Sequence, residues 1–373
     1  MLKKIFLVLL IISAVFSLTS CTKENAEIKI GAILPLTGSA ATVGEFQKNG
    51  IEIAVSEINE SGGINGKKIK VVYGDSKNEG KEGVLLLRRM MDIDQVDIFL
   101  ASQSGVVVPI ATQVASEKNA LLFVTISSMP GITKMGNNIF RFFVTSENES
   151  RKMAKFASNN LKIKNVGVFY INDDFGLGGL KTFKESLKNY GGDVIWEDSY
   201  EKTGFDFRTV LQKTVGNKKM EALYIIGYDK AFAIAVKQAR EVGLKIPILA
   251  SIGMSVPDWI NIAGASAEGV YVTATRFEPT SNESNIQTFV KKYKKLFGKV
   301  PNVLAAFTYD SFKILSDGIL KGGVTPNKLI EILEQTQNYR GIIGNITFDK
   351  TREGNVDLII RKIVNSKPVF YSE

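Results

Sequence analysis

The sequence contains no histidine and only one cysteine among its 373 residues. Histidine is the commonest general base in enzymes and a frequent ligand of zinc. Its absence excludes the usual catalytic triad and nearly every zinc site. A single cysteine cannot form an intramolecular disulfide and supports no cysteine-based metal site. These absences argue against an enzyme and against a resident metal or other cofactor.

Long runs of one charge sign are also missing. The chain has 47 Lys and Arg residues against 38 Asp and Glu residues, for a formal net charge of +9. The two signs are mixed along its length, and no basic helix is interleaved with aromatic residues. The excess of lysine therefore predicts a well-solvated surface and no nucleic-acid partner.

Paired carboxylates are the one enzymatic option that this composition leaves. Asp173 and Asp174 are adjacent after an apolar run, but neighbouring residues on a turn rarely converge on one bond. We interpret them as residues that cap a helix start and interact favourably with its dipole.

A run long enough to cross a bilayer comfortably is absent too, so we expect a soluble body after an N-terminal signal. Lys3 and Lys4 precede "IFLVLLIISAVFSL", which is typical of the apolar core of a secretory signal. It ends in "LTSC", which resembles a bacterial lipobox and implies lipid attachment to Cys21 and retention on a membrane surface. We expect residues 1–20 to be the signal peptide and residues 21–26 to form a short tether.

After the signal, short apolar runs alternate with helical periods. Runs such as "VDIFLAS" and "ALLFVTI" are typical of parallel strands that helices cover on both faces. In the first helical stretch an apolar stripe is formed by Ile51, Ala54, Val55 and Ile58, and "SGGING" ends that helix. Because the alternation restarts after about residue 145, the pattern predicts an α/β protein with two lobes.

The C-terminal part departs from this alternation. Residues 285–338 are predicted to be helical, and the strands "NITFD" and "VDLIIRKIV" follow, with "KTREGN" as the turn between them. No low-complexity segment or long linker interrupts the chain, so we expect a compact two-lobed body.

The segment "LPLTGSAATVGEFQKNG", residues 34–50, lies between a predicted strand and a predicted helix. Small and hydroxyl residues in this setting often hold phosphate on backbone N–H groups. Here five residues separate Gly38 from Gly44 and Glu45 follows, whereas a phosphate loop has four residues between its glycines and then Lys-Ser/Thr. The run "GLGGL", residues 176–180, lacks the spacing of a dinucleotide fingerprint. We interpret both glycine pairs as ordinary turns.

The same segment opens a longer pattern. "IKIGAILPLTGSAATVGEFQKNGIEIAVSEINESGGINGKKIKVVYGDSKN" resembles the start of the type I periplasmic binding proteins of the branched-chain amino acid transport group. Further matching segments are "YINDDFGLGGLKTFKESL", "YEKTGFDFRTVLQK", "AREVGLKIPILAS", "NIAGASAEGVYVT" and "AAFTYDSFKIL". Their order and spacing persist over about residues 27–373, so the resemblance is more specific than any one short motif.

The resemblance implies two Rossmann-like lobes with parallel sheets, joined by three crossovers, and a solute held in the cleft between them. The lobes would close by a hinge movement, and the loaded protein would dock on the permease of an ABC importer. We place the crossovers near residues 144–148, 275–280 and 345–350. The lobes are then lobe I, 27–145 plus 278–346, and lobe II, 146–277 plus 347–373.

In this family, hydroxyls and backbone N–H groups after two strands of lobe I hold a ligand carboxylate. The matching positions here are Ser104, with Ser102 nearby, and the turn that contains Ser127 and Ser128. N–H groups at a helix start with adjacent hydroxyls suit an anion without a buried arginine. Helix capping is the alternative role for each serine. Val43 stands in the opening loop where leucine-type binders often have tyrosine.

Lobe II of the family contributes aromatic residues from its strand ends, and Phe175 and Tyr228 match those positions, with core packing as the alternative. Amino-acid binders usually also keep an acidic residue after the strand that matches "IPILAS", where it pairs with the ligand ammonium. That position is Ile252 or its neighbour here, and an enclosed ammonium without a counter-charge is unfavourable by several kcal/mol. Glu147 or Asp229 could supply the charge.

The family default for the solute is a branched-chain or other aliphatic amino acid. Because the acidic partner is missing, a solute without an ammonium group, such as an amide, a urea-like compound or a small carboxylate, is nearly as well supported as an amino acid. A ligand sensor for a partner receptor uses the same fold and is a further alternative to the importer component.

Overall fold

The computed structural model describes residues 27–129, 131–228, 230–255 and 257–371. The predicted signal, the tether with Cys21, and Asp229 lie outside the described residues. Of the helices that are described, none combines the length and the apolar character needed to cross a bilayer.

The strands of the described chain are β1 (Ile28–Leu34), β2 (Ile69–Asp75), β3 (Ile98–Ser102), β4 (Leu121–Thr125), β5 (Ile139–Phe142), β6 (Asn165–Ile171), β7 (Asp193–Tyr200), β8 (Ala222–Ile226), β9 (Ile248–Ala250), β10 (Tyr271–Ala274), β11 (Tyr339–Arg340), β12 (Asn345–Phe348), β13 (Glu353–Val356), β14 (Ile359–Val364) and β15 (Lys367–Phe370). They form two sheets. The first has the order β11-β12-β13-β5-β4-β3-β1-β2, and the second has the order β15-β14-β10-β9-β8-β6-β7.

The α-helices between the strands are α1 (Ala41–Glu60), α2 (Gly80–Asp92), α3 (Ser104–Ala115), α4 (Ser146–Asn159), α5 (Asp174–Asn189), α6 (Arg208–Val215), α7 (Lys230–Glu241), α8 (Pro257–Ala263), α9 (Ser284–Phe297), α10 (Val303–Gly322) and α11 (Pro326–Glu334). Short 3-10 helices span Gly38–Ala40, Ile132–Met135, Ile252–Ser255 and Gly264–Ala267.

The strands that alternate with helices pair in parallel in both sheets. β3, β4 and β8 are buried at every position, as near-continuous apolar strands covered on both faces should be. Along β1, Ile30 and Ala32 join one apolar cluster of the first sheet, and Ile33 joins the cluster on the other face. The predicted α/β class with two mainly parallel sheets is confirmed.

The first helix begins earlier than predicted. It starts at Ala41, so Val43 is helical and does not stand at the tip of a loop. Gly44 permits this path, because a Cβ atom there would lie 2.0 Å from the carbonyl oxygen of Pro35. The interpretation of Gly44 as a turn residue is therefore wrong.

The "GLGGL" segment is also helical and lies inside α5. At Gly176 a Cβ atom would approach the carbonyl oxygen of Ile171 to 1.8 Å, and at Gly178 it would lie 3.1 Å from Oε1 of Glu147. These glycines allow α5 to pack tightly on its neighbours, so the prediction of a turn over residues 176–180 is wrong.

The C-terminal strands differ from the expected hairpin. β12 pairs antiparallel with β13, and β13 includes "EGN", which was predicted to belong to the turn. Both strands lie in the first sheet, whereas β14 lies in the second. The third crossover, which we placed near residues 345–350, therefore follows Val356, and residues 347–356 belong with the first sheet instead of with lobe II. The reason is a parallel pairing of β13 with β5, which the sequence pattern does not reveal.

The chain segments that pass between the sheets are tied to one another. Nδ2 of Asn148, at the start of α4, donates to Oδ1 of Asn355 in β13 at 2.9 Å. Arg361 of β14 is buried; its guanidinium pairs with Glu278 and donates to the carbonyl oxygens of the segment 275–277. These bonds connect all three crossovers.

Candidate functional site

The carboxyl ends of β3 and β4 lie side by side, with Ser102 opposite Thr125. Each strand is followed by a residue with positive φ, which is +71° at Gln103 and +43° at Ile126. The N–H of Gln103 donates to the carbonyl oxygen of Ile126 at 3.2 Å. Positive φ is uncommon outside glycine and least favourable for a β-branched residue. Such conformations persist where the surrounding structure enforces them and concentrate at ligand sites.

A buried polar cluster supports this edge of the sheet. Oγ of Ser102 donates to Oε1 of Gln47 at 2.9 Å, and Nε2 of Gln47 donates to Oγ1 of Thr125 at 3.2 Å. All three side chains are fully buried. Ser102 is therefore part of the buried cluster that links the ends of β3 and β4. Gln47 was missed in the sequence, because one glutamine on an amphipathic helix carries no signal of a strand-end contact.

Ser104 is the first residue of α3 and directly follows Gln103. The carbonyl oxygen of Gln103 accepts from the N–H groups of Val106 and Val107, which closes the first turn. The earliest N–H groups of a helix have no intrahelical acceptor, so this end favours an anionic group.

The predicted serine turn follows β4 at the same edge. Ser127 is buried and its Oγ accepts from the N–H of Met129 at 3.4 Å, whereas Ser128 is half-buried. Since β3 and β4 are neighbours, the structure brings Ser128 and Ser127 to the edge that also carries the start of α3.

One arginine beneath this turn was missed in the sequence. Arg141 of β5 is 3% exposed, and its Nη1 donates to the carbonyl oxygens of Ser127, at 3.3 Å, and of Met129. Its Nε donates to Oε2 of Glu353 at 2.6 Å. The guanidinium of Arg141 thus contacts main-chain carbonyl oxygens of the turn and a carboxylate of the chain.

Two backbone N–H groups of the opening loop are bonded to the side chain of Asp75. Oδ1 of Asp75, at the end of β2, accepts from the N–H groups of Leu36 at 2.9 Å and of Thr37 at 3.1 Å. Burial opposes ionisation, but hydrogen bonds from Thr37, Lys77 and Leu36 together lower the pKa of Asp75. These N–H groups therefore hold no phosphate. Val43 is half-buried and packs against the apolar cluster.

An aromatic pair lies at the carboxyl edge of the second sheet. The rings of Phe175 and Tyr228 meet edge to face, with centroids 5.2 Å apart and an interplanar angle of 87°. The hydroxyl of Tyr228 donates to Oδ2 of Asp173 at 2.7 Å, and Oδ1 of Asp173 accepts from the N–H of Gly176. Asp173 thus caps α5, which confirms the capping interpretation. Phe175 is mostly buried, whereas Tyr228 is 37% exposed and Nζ of Lys202 lies over its ring.

A carboxylate does lie beside Ile252, where the sequence has no acidic residue. The N–H of Ile252 donates to Oε2 of Glu149 at 2.5 Å, and Oγ1 of Thr273 donates to the same oxygen at 2.7 Å. Burial raises the pKa of Glu149 to about 7, although these two hydrogen bonds oppose the shift. Glu149 was missed because it is more than a hundred positions earlier in the chain. Ile252 itself is half-buried and packs against the cluster of the first sheet.

Glu147 occupies a different face of the same helix. It is half-buried at the start of α4, and its carboxylate lies against Gly178 of α5. In the described ranges, no three Asp, Glu, His or Cys side chains come together in a way that could hold a metal ion. The arrangement presents N–H and hydroxyl groups on one sheet edge and aromatic side chains on the other, which suits binding of a small solute.

Comparison with known proteins places the chain in one family. A family model described as "Periplasmic binding protein" matches residues 27–367. A Leu/Ile/Val-binding protein homolog from Brucella melitensis is 28% identical over 87% of this chain and 88% of the relative.

Two solved structures have closely similar folds. A leucine-binding protein from Thermotoga maritima has a TM-score of 0.78 and 28% identity, covering 92% of this chain and 98% of its own. A branched-chain amino acid transporter substrate-binding protein from Streptococcus pneumoniae, in complex with isoleucine, has a TM-score of 0.77 and 25% identity, covering 92% and 97%. Both likenesses extend over both sheets of the present chain.

Proposed function

Since the chain belongs to the periplasmic binding protein family, we propose that it is the substrate-binding component of an ABC importer. It takes up a small solute in the cleft between two lobes, which close by a hinge movement. By its family it is an extracytoplasmic binding protein. In the proposal, lipid on Cys21 holds it at the membrane surface, where it delivers the solute to the permease subunits.

The observation that carries the proposal is the pair of positive-φ residues, Gln103 and Ile126, after two adjacent strands. They turn the chain so that the start of α3 and the serine turn share one edge. N–H groups at a helix start together with hydroxyls suit a single anionic group of the solute. In the proposal Ser104, Ser127 and Ser128 contact that group.

The opposite side of the cleft would receive the rest of the solute. Tyr228 is 37% exposed and its ring is packed edge to face against Phe175, so it offers a fixed aromatic surface. Val43 and Ile252 would complete this surface from the two lobes, because both pack beside the same apolar cluster.

The solute class depends on whether an ammonium group is recognised. The relatives named above bind branched-chain amino acids by name, which favours an amino acid. Two nearby carboxylates already have protein donors, however, since Asp173 is bonded to Gly176 and Tyr228, and Glu149 is buried. Glu147 is the remaining described candidate for a counter-charge. If it does not serve, the solute is an amide, a urea-like compound or a small carboxylate.

A matched set of compounds separates these classes. Thermal unfolding of the mature chain is measured with L-leucine, L-isoleucine, L-valine, 4-methylpentanoate and isovaleramide. A ligand at 100 times its Kd raises the free energy of unfolding by about 2.7 kcal/mol. A shift with the amino acids alone supports ammonium recognition, and a shift with 4-methylpentanoate or isovaleramide alone supports the alternative. Absence of any shift contradicts the proposed solute classes.

Uptake separates an importer component from a sensor for a partner receptor. Deletion of the gene is expected to reduce cellular uptake of the stabilising solute, and a Cys21→Ala variant, released from the membrane, is expected to restore it only in part. Unchanged uptake with a lost transcriptional response to the solute would favour the sensor.

A further inference from the structure

We propose that Arg141 and Glu353 are positioning residues for solute capture. Together they fix the turn Ser127–Met129 in the conformation that receives the anionic group of the solute. This inference rests on the proposed function, because it takes the turn to be part of the solute site.

The contacts of Arg141 are directed at the main chain of the turn. One nitrogen, Nη1, donates to the carbonyl oxygens of both Ser127 and Met129, which flank Ser128. A planar guanidinium can bind two carbonyl oxygens and still donate through Nε to a carboxylate, whereas an ammonium group cannot reproduce this fixed fork. Arg141 therefore holds both sides of Ser128 at once.

This orientation has a consequence for the peptide N–H groups. In a trans peptide the C=O and N–H groups point in opposite directions. Since the carbonyl oxygen of Ser127 points to Arg141, the N–H of Ser128 belongs to the same peptide plane and points away from the guanidinium. By binding the carbonyl oxygen of Ser127, Arg141 thus orients the N–H of Ser128 toward the side of the turn opposite the Arg141–Glu353 ion pair.

Glu353 anchors the other side of the arginine. It lies opposite Arg141 in the β5–β13 register, with Oε2 at 2.6 Å from Nε. Its second oxygen, Oε1, accepts from Oγ1 of Thr133 at 2.8 Å, in the 3-10 helix that follows the turn. The pair therefore fixes the chain both at the turn and downstream of it.

Stability alone does not account for this pair. Removing an arginine and a glutamate from water is unfavourable, and replacing a buried ion pair by apolar residues is often neutral or stabilising. The side chains of Arg141 and Glu353 are 3% and 19% exposed. Nη1 of Arg141 donates to main-chain carbonyl oxygens of the turn, and Oε1 of Glu353 accepts from Thr133, which points to a positioning role.

The test removes both charges together, in the double variant Arg141→Leu/Glu353→Leu. Its control is Arg88→Leu/Glu117→Leu, which removes a more exposed Arg–Glu pair of 2.8 Å that joins α2 to the chain after α3, away from the turn. Amide hydrogen exchange of residues 126–135, the Tm without solute, and the Kd values for L-leucine and 4-methylpentanoate are measured. The double variant is expected to exchange at least tenfold faster in this segment and to bind at least tenfold more weakly, with a Tm close to that of the control.

Single substitutions keep the test decisive if the double variant does not fold. Glu353→Gln retains an acceptor of the same shape and is expected to keep the Kd within threefold, whereas Arg141→Lys is expected to weaken binding at least tenfold. Unchanged exchange of residues 126–135 in Arg141→Lys, or unchanged affinity with faster exchange, overturns the inference. If the wild-type chain binds neither probe, the proposed solute class fails, and the exchange measurement alone decides whether the pair fixes the turn.

Discussion

The backbone N–H of Ile252 donates a 2.5 Å hydrogen bond to the buried carboxylate of Glu149. The segment after β9 has no acidic residue of its own next to Ile252, and Glu149 of α4 provides the carboxylate there. Burial raises the pKa of this carboxyl group from 4.5 to about 7. A raised carboxyl pKa means that the folded chain binds the proton more tightly than the unfolded chain does.

The contribution of Glu149 to stability is therefore expected to depend on pH. It is most favourable below pH 4.5, decreases as pH rises to about 7, and is constant above that. The decrease amounts to about 3 kcal/mol, from roughly 1.4 kcal/mol per pH unit. Chemical denaturation from pH 4 to pH 8 should show a smaller loss of unfolding free energy in Glu149→Gln than in the wild-type chain.

Asp310 serves as the internal reference for that measurement. Burial also raises its pKa to about 7, with hydrogen bonds from Ile342 and Ile343 opposing the shift. It contributes a loss of the same sign in both proteins, so the difference between the two profiles belongs to Glu149. Parallel profiles would show that the Glu149 carboxyl group titrates normally.

Replacing Gln103 by glycine should stabilise the folded protein, because the φ of +71° at this position is unfavourable for any residue with a Cβ atom. Gln103→Gly is expected to raise the unfolding free energy by about 1 kcal/mol, and Gln103→Val to lower it by at least as much. Solute affinity of the glycine variant should decrease, since a flexible edge has to be ordered on binding. Urea denaturation and calorimetric titration check both effects. A glycine variant less stable than the wild-type chain would show that the conformation is not strained.

Gly44 should not tolerate a methyl group. A Cβ atom there would lie 2.0 Å from the carbonyl oxygen of Pro35, which forces the main chain apart. Gly44→Ala is expected to lower the unfolding free energy by about 2 kcal/mol or more, in the range of overpacking. The matched control is Gly105→Ala, because a Cβ on Gly105 meets no atom within 4 Å and alanine is about 1 kcal/mol better in helices. Equal effects of the two substitutions on denaturant midpoints would refute this explanation.

The ring and the hydroxyl of Tyr228 are expected to have separable roles. Tyr228→Phe removes the 2.7 Å bond to Asp173 and should lower stability by about 1 kcal/mol, with solute affinity changed less than threefold. Tyr228→Ala also removes the aromatic ring and should weaken binding at least tenfold. Titration of both variants with the stabilising solute distinguishes the effects. Equal affinities for the alanine variant and the wild-type chain would remove Tyr228 from the solute site.

The parts of the fold that follow from the sequence are those with local signals. β3 and β4 are apolar at nearly every position, so their parallel pairing and burial are predictable. Asp173 was correctly interpreted because capping depends only on residues a few positions away. The position of β13 was not predictable, since "EGNV" has no apolar period and becomes a strand through its pairing with β5.

The polar contacts around the candidate site could not be predicted from the sequence either, because they join residues that are far apart in the chain. Gln47 and Ser102 are 55 positions apart, and Arg141 and Glu353 are 212 positions apart. The two residues of each pair come into contact only in the folded sheet. A single polar residue in an apolar stretch has no period, so neither hydrophobic patterning nor spacing could identify these pairs.

The hydrogen bond between Asn148 and Asn355 joins two crossovers and lies outside the proposed solute contacts. In a protein that exists as open and closed populations, the apparent Kd equals the intrinsic Kd divided by the competent fraction. A bond that differs by about 1.4 kcal/mol between the two populations changes their ratio tenfold. If this amide pair is bonded in only one of the two populations, its substitution changes the solute concentration at which the protein is half saturated and leaves the solute-contacting residues, and with them the specificity, unchanged.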